Sequence, residues 1–346
     1  MMTKEVVRLL RPQDGKTFIN MTFGTGNLTR RLLDTNRNIT VIAVDQDPQA
    51  YRRAQELSKE IAMKSEKLKL RQTVIPVHGK FSNVMRHIHL SGIPYASVNG
   101  LIFDLNNITN RKIPTDPNSS LDMRANTTNS SDITAEDVVN SLSQESLAKV
   151  IKIYGQERRS NKFSNAIVDA RTLLGRIRTF GELHNVVSSV TSTSPNAIGA
   201  SKLFLALRIF VNNELNELKY ALEKMREFLI PSKIELDNEG GVLIQEPYGI
   251  ATVLTSNKLE DAIVKKIFQS IDLDEPNFKF KTQHDRIQTN YLVNMDEVRQ
   301  LVEYKNWWPI LNHVEKPSED DKAAHPDDQT TKLRAALRIE GSLSKG

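Results

Sequence analysis

The pair Gly24-Thr-Gly26 sits between an apolar run, Lys16-Thr-Phe-Ile-Asn-Met-Thr, and a segment with helical periodicity from Asn27 to Thr35. Glycines at a strand-to-helix junction let the backbone pass close to a ligand, and the first N–H groups of the helix are free to meet it. Asp45 stands 19 residues beyond Gly26, at the end of a second run, Asn38-Ile-Thr-Val-Ile-Ala-Val-Asp45. A carboxylate in that place accepts hydrogen bonds from two ribose hydroxyls. Phe81, in His78-Gly-Lys-Phe-Ser82, follows a third run, where a ring can lie against an adenine face. Asp104 ends a fourth. These features occur in order at the ends of four successive apolar runs, and parallel sheets bind nucleoside cofactors at their carboxyl edges.

Other chemistries fit less well. A nicotinamide fingerprint needs a third glycine where Thr29 stands, and the Tyr220/Lys224 pair lies in a helical run that explains it as packing and surface. His87 and His89 are two apart and would point in different directions on a helix; His184, His284 and His313 stand alone. No metal site is therefore expected, and no serine-centred nucleophile elbow is present. The absence of cysteine removes disulfides, thiolate ligands and a cysteine nucleophile together.

The elements that must hold these residues alternate. Asp47-Pro48 opens a helix running to about Lys67, and Thr73-Val-Ile-Pro-Val-His is a third strand that Pro76 keeps from a fully central place. Val98 to Leu105 is the fourth. Such alternation predicts an α/β fold with a doubly wound, mostly parallel sheet over residues 1–105. An Asn/Ser/Thr-rich stretch over 106–133 reads as a long polar loop. Thr134-Ala-Glu-Asp137 reads as a capping box that opens a helical insert over 134–200. A continuous helix is expected from Ala200 to Phe228, and Lys233 to Tyr248 has the pattern of a hairpin around Asn238-Glu-Gly-Gly241. The α/β domain resumes over 201–314, and 315–346 is expected to be a mobile charged tail.

With 39% hydrophobic and 26% charged residues the chain suits a globular protein, and no apolar run reaches the roughly 20 residues of a membrane span. The net charge of +5 is less informative than its placement. Between Lys149 and Arg178 lie Lys149, Lys152, Arg158, Arg159, Lys162, Arg171, Arg176 and Arg178, against Glu157 and Asp169. A solvated helix face would have this composition; so would a surface that attracts phosphate.

The sequence resembles the rRNA small-subunit methyltransferase H family and its mitochondrial homologues. The likeness is carried, in order, by Thr3-Lys-Glu-Val-Val, Met21-Thr-Phe-Gly-Thr-Gly26, Val44-Asp-Gln-Asp-Pro48, Gly79-Lys-Phe-Ser82 and Leu121-Asp-Met-Arg124. It continues through Ala135-Glu-Asp-Val-Val-Asn140, Tyr154-Gly155, Ala206-Leu-Arg-Ile-Phe-Val-Asn-Asn-Glu-Leu215, Leu259-Glu-Asp-Ala-Ile-Val-Lys265 and Lys332-Leu-Arg-Ala335.

The resemblance implies a class I, Rossmann-like methyltransferase core with a helical insert after the fourth strand. It implies S-adenosyl-L-methionine as cofactor and the N4 amino group of a cytosine in small-subunit rRNA as acceptor. Its cofactor positions fall on Gly26, Asn27, Leu28, Asp45, Phe81 and Asp104, beside Gly24 of the turn. Asp104 would face the cofactor's amino-acid portion or the target amine, with Asn106 or Asn107 as further acceptors. Arg124 and the basic insert, Arg158, Arg159 and Lys162 above all, would bind the RNA.

Some loop positions depart from the family. Asn20 replaces its motif-opening Asp, Gly26-Asn27-Leu28 its Gly-Gly-His, and Thr255-Ser-Asn-Lys258 its Ser-Phe-His-Ser; after Asp104, Leu105-Asn106-Asn107-Ile108 follows where it has a Gly and then serines. The alternative function is therefore a catalytically degenerate member that binds rRNA or an assembling small subunit. A mitochondrial location follows from the resemblance. The cytoplasm is the alternative, because no Arg-rich, acid-poor leader opens the sequence.

Overall fold

Residues two apart in an extended chain share a face, so continuous apolar runs need cover on both sides. The computed structural model shows that cover. It describes residues 2–106, 116–127, 132–190, 198–236, 242–269, 307–311, 314–317 and 330–339. Phe18 and Ile19 of β1 (Thr17–Asn20), Val41 and Ile42 of β2 (Thr40–Asp45), and Ile102 and Leu101 of β4 (Gly100–Asp104) separate into two cores. The first of each pair packs with α1 (Thr3–Leu10), α2 (Asn27–Leu33) and α3 (Pro48–Leu68). The second packs with α4 (Phe81–Leu90) and with Leu218, Ala221, Leu222 and Met225.

The seven strands lie in the order β3-β2-β1-β4-β7-β9-β8, where β3 is Thr73–His78, β7 Ile250–Thr255, β8 Trp307–Pro309 and β9 Lys332–Arg338. The pairings from β3 through to β7 are parallel, while β9 runs antiparallel to both β7 and β8. The doubly wound, mostly parallel sheet expected from the sequence is present. Pro76 sits in β3, the sheet's edge, where a missing N–H costs no ladder bond on the open side. Asp47 caps α3 by accepting the Gln49 N–H at 2.9 Å, with Pro48 in the first turn.

Two expectations need correction. The charged tail over 315–346 contains β9, whose Leu333, Ala335, Ala336 and Leu337 are buried. Its alternation is short and follows a charged stretch, which masked it; residues 318–329 and 340–346 lie outside those described. The continuous helix from Ala200 to Phe228 is broken into α9 (Ile198–Val211) and α10 (Glu214–Met225). Asn213 adopts a φ of 52° at the break. Asn212 fixes that break, since its Nδ2 donates to the Met123 and Arg208 carbonyls while its Oδ1 accepts the Ala125 N–H. The hairpin forms, with β5 (Lys233–Leu236) antiparallel to β6 (Val242–Gln245); its turn, 237–241, lies outside the described residues.

The chain divides into a sheet unit, Met1–Asn110 with Leu218–Gly346, and a helical unit, Arg111–Glu217. The helical unit is wider at both ends than the stretch 134–200. Leu121, from the segment read as polar loop, and Leu203, Phe204 and Leu207 of α9 belong to its core. That core also takes α5 (Ala135–Ser141), α6 (Gln144–Gly155), α7 (Ser160–Leu173) and α8 (Phe180–Ser189). The capping box at Thr134 and Asp137 forms in both directions. Gly155 lets α6 meet α9 closely: a Cβ there would fall 2.5 Å from the Lys202 carbonyl oxygen.

Candidate functional site

The carboxyl ends of β1, β2, β3 and β4 are neighbours, so the order read from the sequence becomes a row in space. After Asn20 the chain stays near the sheet, with Met21 N–H donating to Ile102 O and Phe23 N–H to Val44 O. It then turns through Gly24 (φ 58°) and Gly26 (φ 81°) into α2. A Cβ on Gly26 would lie 2.6 Å from the Phe23 ring, which is buried beneath the turn.

Asp45 holds the turn from the next strand. One carboxylate oxygen accepts the Gly24 N–H at 2.8 Å and the other accepts the Asp47 N–H at 2.9 Å. A carboxylate has about four acceptor positions. Asp45 is half-buried where it holds the turn. Arg53 adds a contact from α3, its Nε donating to Gly24 O at 3.1 Å.

A buried polar chain, not anticipated from the sequence, ties this turn to Asp104. Asn20 Nδ2 donates to Thr29 Oγ1 at 3.0 Å, and Asn20 Oδ1 accepts the Thr22 N–H at 3.1 Å. Thr22 Oγ1 then accepts the Asp104 N–H at 2.7 Å. Asn20, Thr22, Thr29 and Asp104 are all buried, so their hydrogen bonds form in a low-dielectric setting where geometry is strongly enforced. Its trace in the sequence is two short polar residues, Asn20 and Thr22, at the end of an apolar run, and Thr29 beyond the glycine turn.

Phe81 is the first residue of α4. Its half-buried ring packs edge-on against Phe103 with centroids 5.9 Å apart, and Phe103 precedes Asp104 on β4. Leu28 differs from expectation in one respect. Its side chain belongs to the core under α2, so only its backbone faces the turn, while Asn27 is exposed. Asn106 is buried just beyond β4, and its Nδ2 donates to Thr331 Oγ1 at 3.0 Å. Asn107 lies outside the described residues.

The basic positions sort into engaged and exposed. Arg124 grips Asp122 through Nε at 2.6 Å and Nη2 at 2.8 Å, and that hydrogen bonding holds the Asp122 carboxyl below its ordinary range. Arg124 is thereby a fastener of its own segment. Arg159 pairs with the buried Glu157 and lies over the Phe163 ring. Burial alone would raise the Glu157 carboxyl, but the N–H and guanidinium of Arg159 and the nearby Lys202 lower it overall. Arg176 binds Glu136 and Asp137, and Arg171 donates to the Val139 carbonyl. Lys149, Lys152, Arg158, Lys162 and Arg178 are exposed.

Among the described residues there is no group of three or more His, Asp or Glu able to hold a metal ion, and no helix long and apolar enough to cross a membrane. His284 and His313 lie outside the described residues, and Tyr220 and Lys224 sit on α10.

A model of the MraW methylase family matches residues 1–337. The chain belongs to the MraW methylase family.

Relatives cover it almost end to end. The 12S rRNA N(4)-cytidine methyltransferase METTL15 of Bos taurus is 33% identical over 98% of this chain and 82% of its own length. The probable methyltransferase-like protein 15 homolog of Drosophila melanogaster is 30% identical over 96% and 90%. The ribosomal RNA small subunit methyltransferase H of Ehrlichia canis is 32% identical over 97% and 98%.

The segments that carried the family likeness in the sequence also meet each other in space. Leu259-Glu-Asp and Lys332-Leu-Arg join through Asp261, which accepts from Lys332 at 2.8 Å and Arg334 at 2.7 Å. Burial favours the neutral form of Asp261, yet these two cations outweigh it and hold the carboxyl low. Leu121–Arg124 joins Ala206–Leu215 through Asn212. Within the latter, Arg208 binds Glu214 at 3.0 Å with both side chains buried. These parts of the family pattern fasten the scaffold.

Proposed function

We propose that this chain is an S-adenosyl-L-methionine-dependent methyltransferase acting on the N4 amino group of a cytosine in small-subunit rRNA. Membership of a methylase family along nearly its whole length supports the reaction class. The observation that carries the reading is the row Asp45, Phe81 and Asp104, at the carboxyl ends of three of four adjacent strands that share a glycine turn.

That donor set fits the cofactor. Asp45 offers a carboxylate to a ribose diol, Phe81 a ring face to adenine, and Asp104 a buried negative group to the amino-acid portion or to the acceptor amine. Bound there, the cofactor supplies an electrophilic methyl group. The protein must do the rest. A cytosine amine is a weak nucleophile because its lone pair is delocalised into the ring, so the base must be extruded and held in line with the methyl. Asp104 and Asn106 accept hydrogen bonds from that amine, which localises its lone pair. Asp104 is effective in this role because it is dry and because the Thr22 hydroxyl fixes the strand end that carries it.

Lys149, Lys152, Arg158 and Lys162 present positive charge on the helical unit and serve the RNA backbone. We propose the mitochondrial small subunit as its setting; the 12S rRNA in the name of the Bos taurus relative supports that reading.

A second reading, a family member that binds rRNA without catalysis, is favoured by one observation: Leu28 turns its side chain into the core where the family carries His. Calorimetry with the cofactor and a tritiated methylation assay on small-subunit rRNA separate the two. Transfer by the wild-type chain, lost in Asp104→Ala, supports the enzyme. RNA binding with no cofactor binding at millimolar ligand overturns it in favour of the second reading.

A further inference from the structure

At the edge formed by the carboxyl ends of β4 and β7 and the amino end of β9, four buried polar atoms have no hydrogen-bond partner among the described residues: Asn106 Oδ1, Thr255 Oγ1, Ser256 Oγ and Asn257 Nδ2. Natural folds leave few such atoms, and a cluster of them at one strand edge asks for a ligand with matching polarity. The strand register brings them together. Asp104 lies opposite Leu254 in the parallel β4–β7 pair, and Thr255 opposite Lys332 in the antiparallel β7–β9 pair. Asn106, Ser256 and Thr331 are therefore the next residues out at the same edge. The Asn106–Thr331 hydrogen bond spans the end of β7 to join the two strands beside it.

The two amides have their orientation fixed by a bond at their other end. Asn106 spends its Nδ2 on Thr331 Oγ1, which leaves Oδ1 as an acceptor. Asn257 spends its Oδ1 on the Leu259 N–H as N-cap of α11 (Lys258–Phe268), which leaves Nδ2 as a donor. An acceptor and a donor, with the Thr255 and Ser256 hydroxyls between them in chain order, match the edge of an aminopyrimidine. Its exocyclic amine donates, while its ring nitrogen and carbonyl oxygen accept.

We propose that Asn106 and Asn257 recognise the acceptor base, and that Thr331 is a positioning residue that turns the Asn106 oxygen toward the amine. The proposal rests on the functional reading above and adds Thr331, just before β9, and Asn257, the N-cap of α11, to it. Thr331 acts through Asn106 alone. Asn257 reads the ring edge, so it governs which base is accepted.

The test uses the full chain, tritiated cofactor and small-subunit rRNA, with an rRNA carrying uracil at the methylated position as control. Thr331→Val, which removes only the hydroxyl, is expected to lower kcat at least tenfold, with the cofactor Kd unchanged. Thr331→Ser should restore kcat to within about twofold. Asn106→Ala should match Thr331→Val, and the double variant should be no worse than either. Asn257→Asp keeps the N-cap acceptor and deletes the donor; it should raise KM for the RNA at least tenfold while Tm stays unchanged.

Wild-type kcat in Thr331→Val, additive losses in the double variant, or an unchanged KM in Asn257→Asp would overturn the proposal while leaving the methyltransferase reading intact. If Thr331→Val does not fold, Asn257→Asp and Asn106→Ala decide alone by the same criteria. No transfer by the wild-type chain to the rRNA overturns both.

Discussion

The Asp45 carboxylate on β2 accepts the backbone N–H of Gly24, in the turn after β1, at 2.8 Å. One side chain therefore shapes the glycine turn and is the group proposed to meet a ribose. Asp45→Ala should weaken S-adenosyl-L-methionine binding by about 100-fold, because hydrogen bonds to a charged group contribute about 1.5–3 kcal/mol each. Asp45→Asn, which keeps one acceptor oxygen, should fall between. Titration calorimetry measures both, and an unchanged Kd in Asp45→Ala refutes the ribose assignment.

Gly26→Ala should destabilise the sheet unit by about 2 kcal/mol, since alanine is strained at a φ of 81° and its Cβ would strike the Phe23 ring. Scanning calorimetry should show a lowered Tm. A wild-type Tm would mean that the turn adopts another conformation.

Asp261 makes stability depend on acid. Its folded carboxyl is held below the ordinary range by Arg334 and Lys332 against the opposing effect of burial. A depressed carboxyl contributes stability that is present above its unfolded pKa and lost as pH falls through its folded one. Urea unfolding measured from pH 7 down to pH 3 should show a decline that Asp261→Asn flattens, with a loss of about 2 kcal/mol in the variant at pH 7. An unchanged acid limb in the variant argues against the ion pairs.

The basic insert should divide by function. Arg158→Glu combined with Lys162→Glu should weaken RNA binding more at low salt than at high, and make the logarithmic salt slope shallower by about two. Arg176→Glu, whose partners are Glu136 and Asp137, should lower Tm and leave that slope alone. Filter binding at several salt concentrations reads the difference. Parallel slopes for the Arg158/Lys162 variant would exclude phosphate contacts there.

How far the sequence could be read depended on range. The row Asp45, Phe81 and Asp104 was legible because each residue ends or follows an apolar run, and short continuous apolar runs bounded by turn residues report strands covered on both faces. Thr22, Thr29 and Asn20 were not, because nothing local tells which distant element a polar residue at a strand end will bond to. The same holds for Asn106 and Thr331, which are 225 positions apart. The helix break at Asn212 was hidden for a related reason: the apolar spacing continues through it, and the bonds that impose it come from Met123 and Ala125. The bidentate grip of Arg124 on Asp122 was hidden as well, because two residues so close in sequence do not announce such a pair.

The antiparallel seat of β9 has a consequence for synthesis. Strands β1 to β4 are complete once Asp104 has emerged, yet β4 then has one open edge until β7, which starts at Ile250. At about 5–20 residues per second, that edge waits roughly 7–30 s on the ribosome, while the helical unit is made in between. The β7 edge waits again for Lys332 to Arg338. An unpaired strand is a template for other chains, so the nascent protein passes through two intervals of exposure to aggregation. Loss of β9 would leave the second of them permanent, and with it would go the Thr331 hydroxyl that completes the rim.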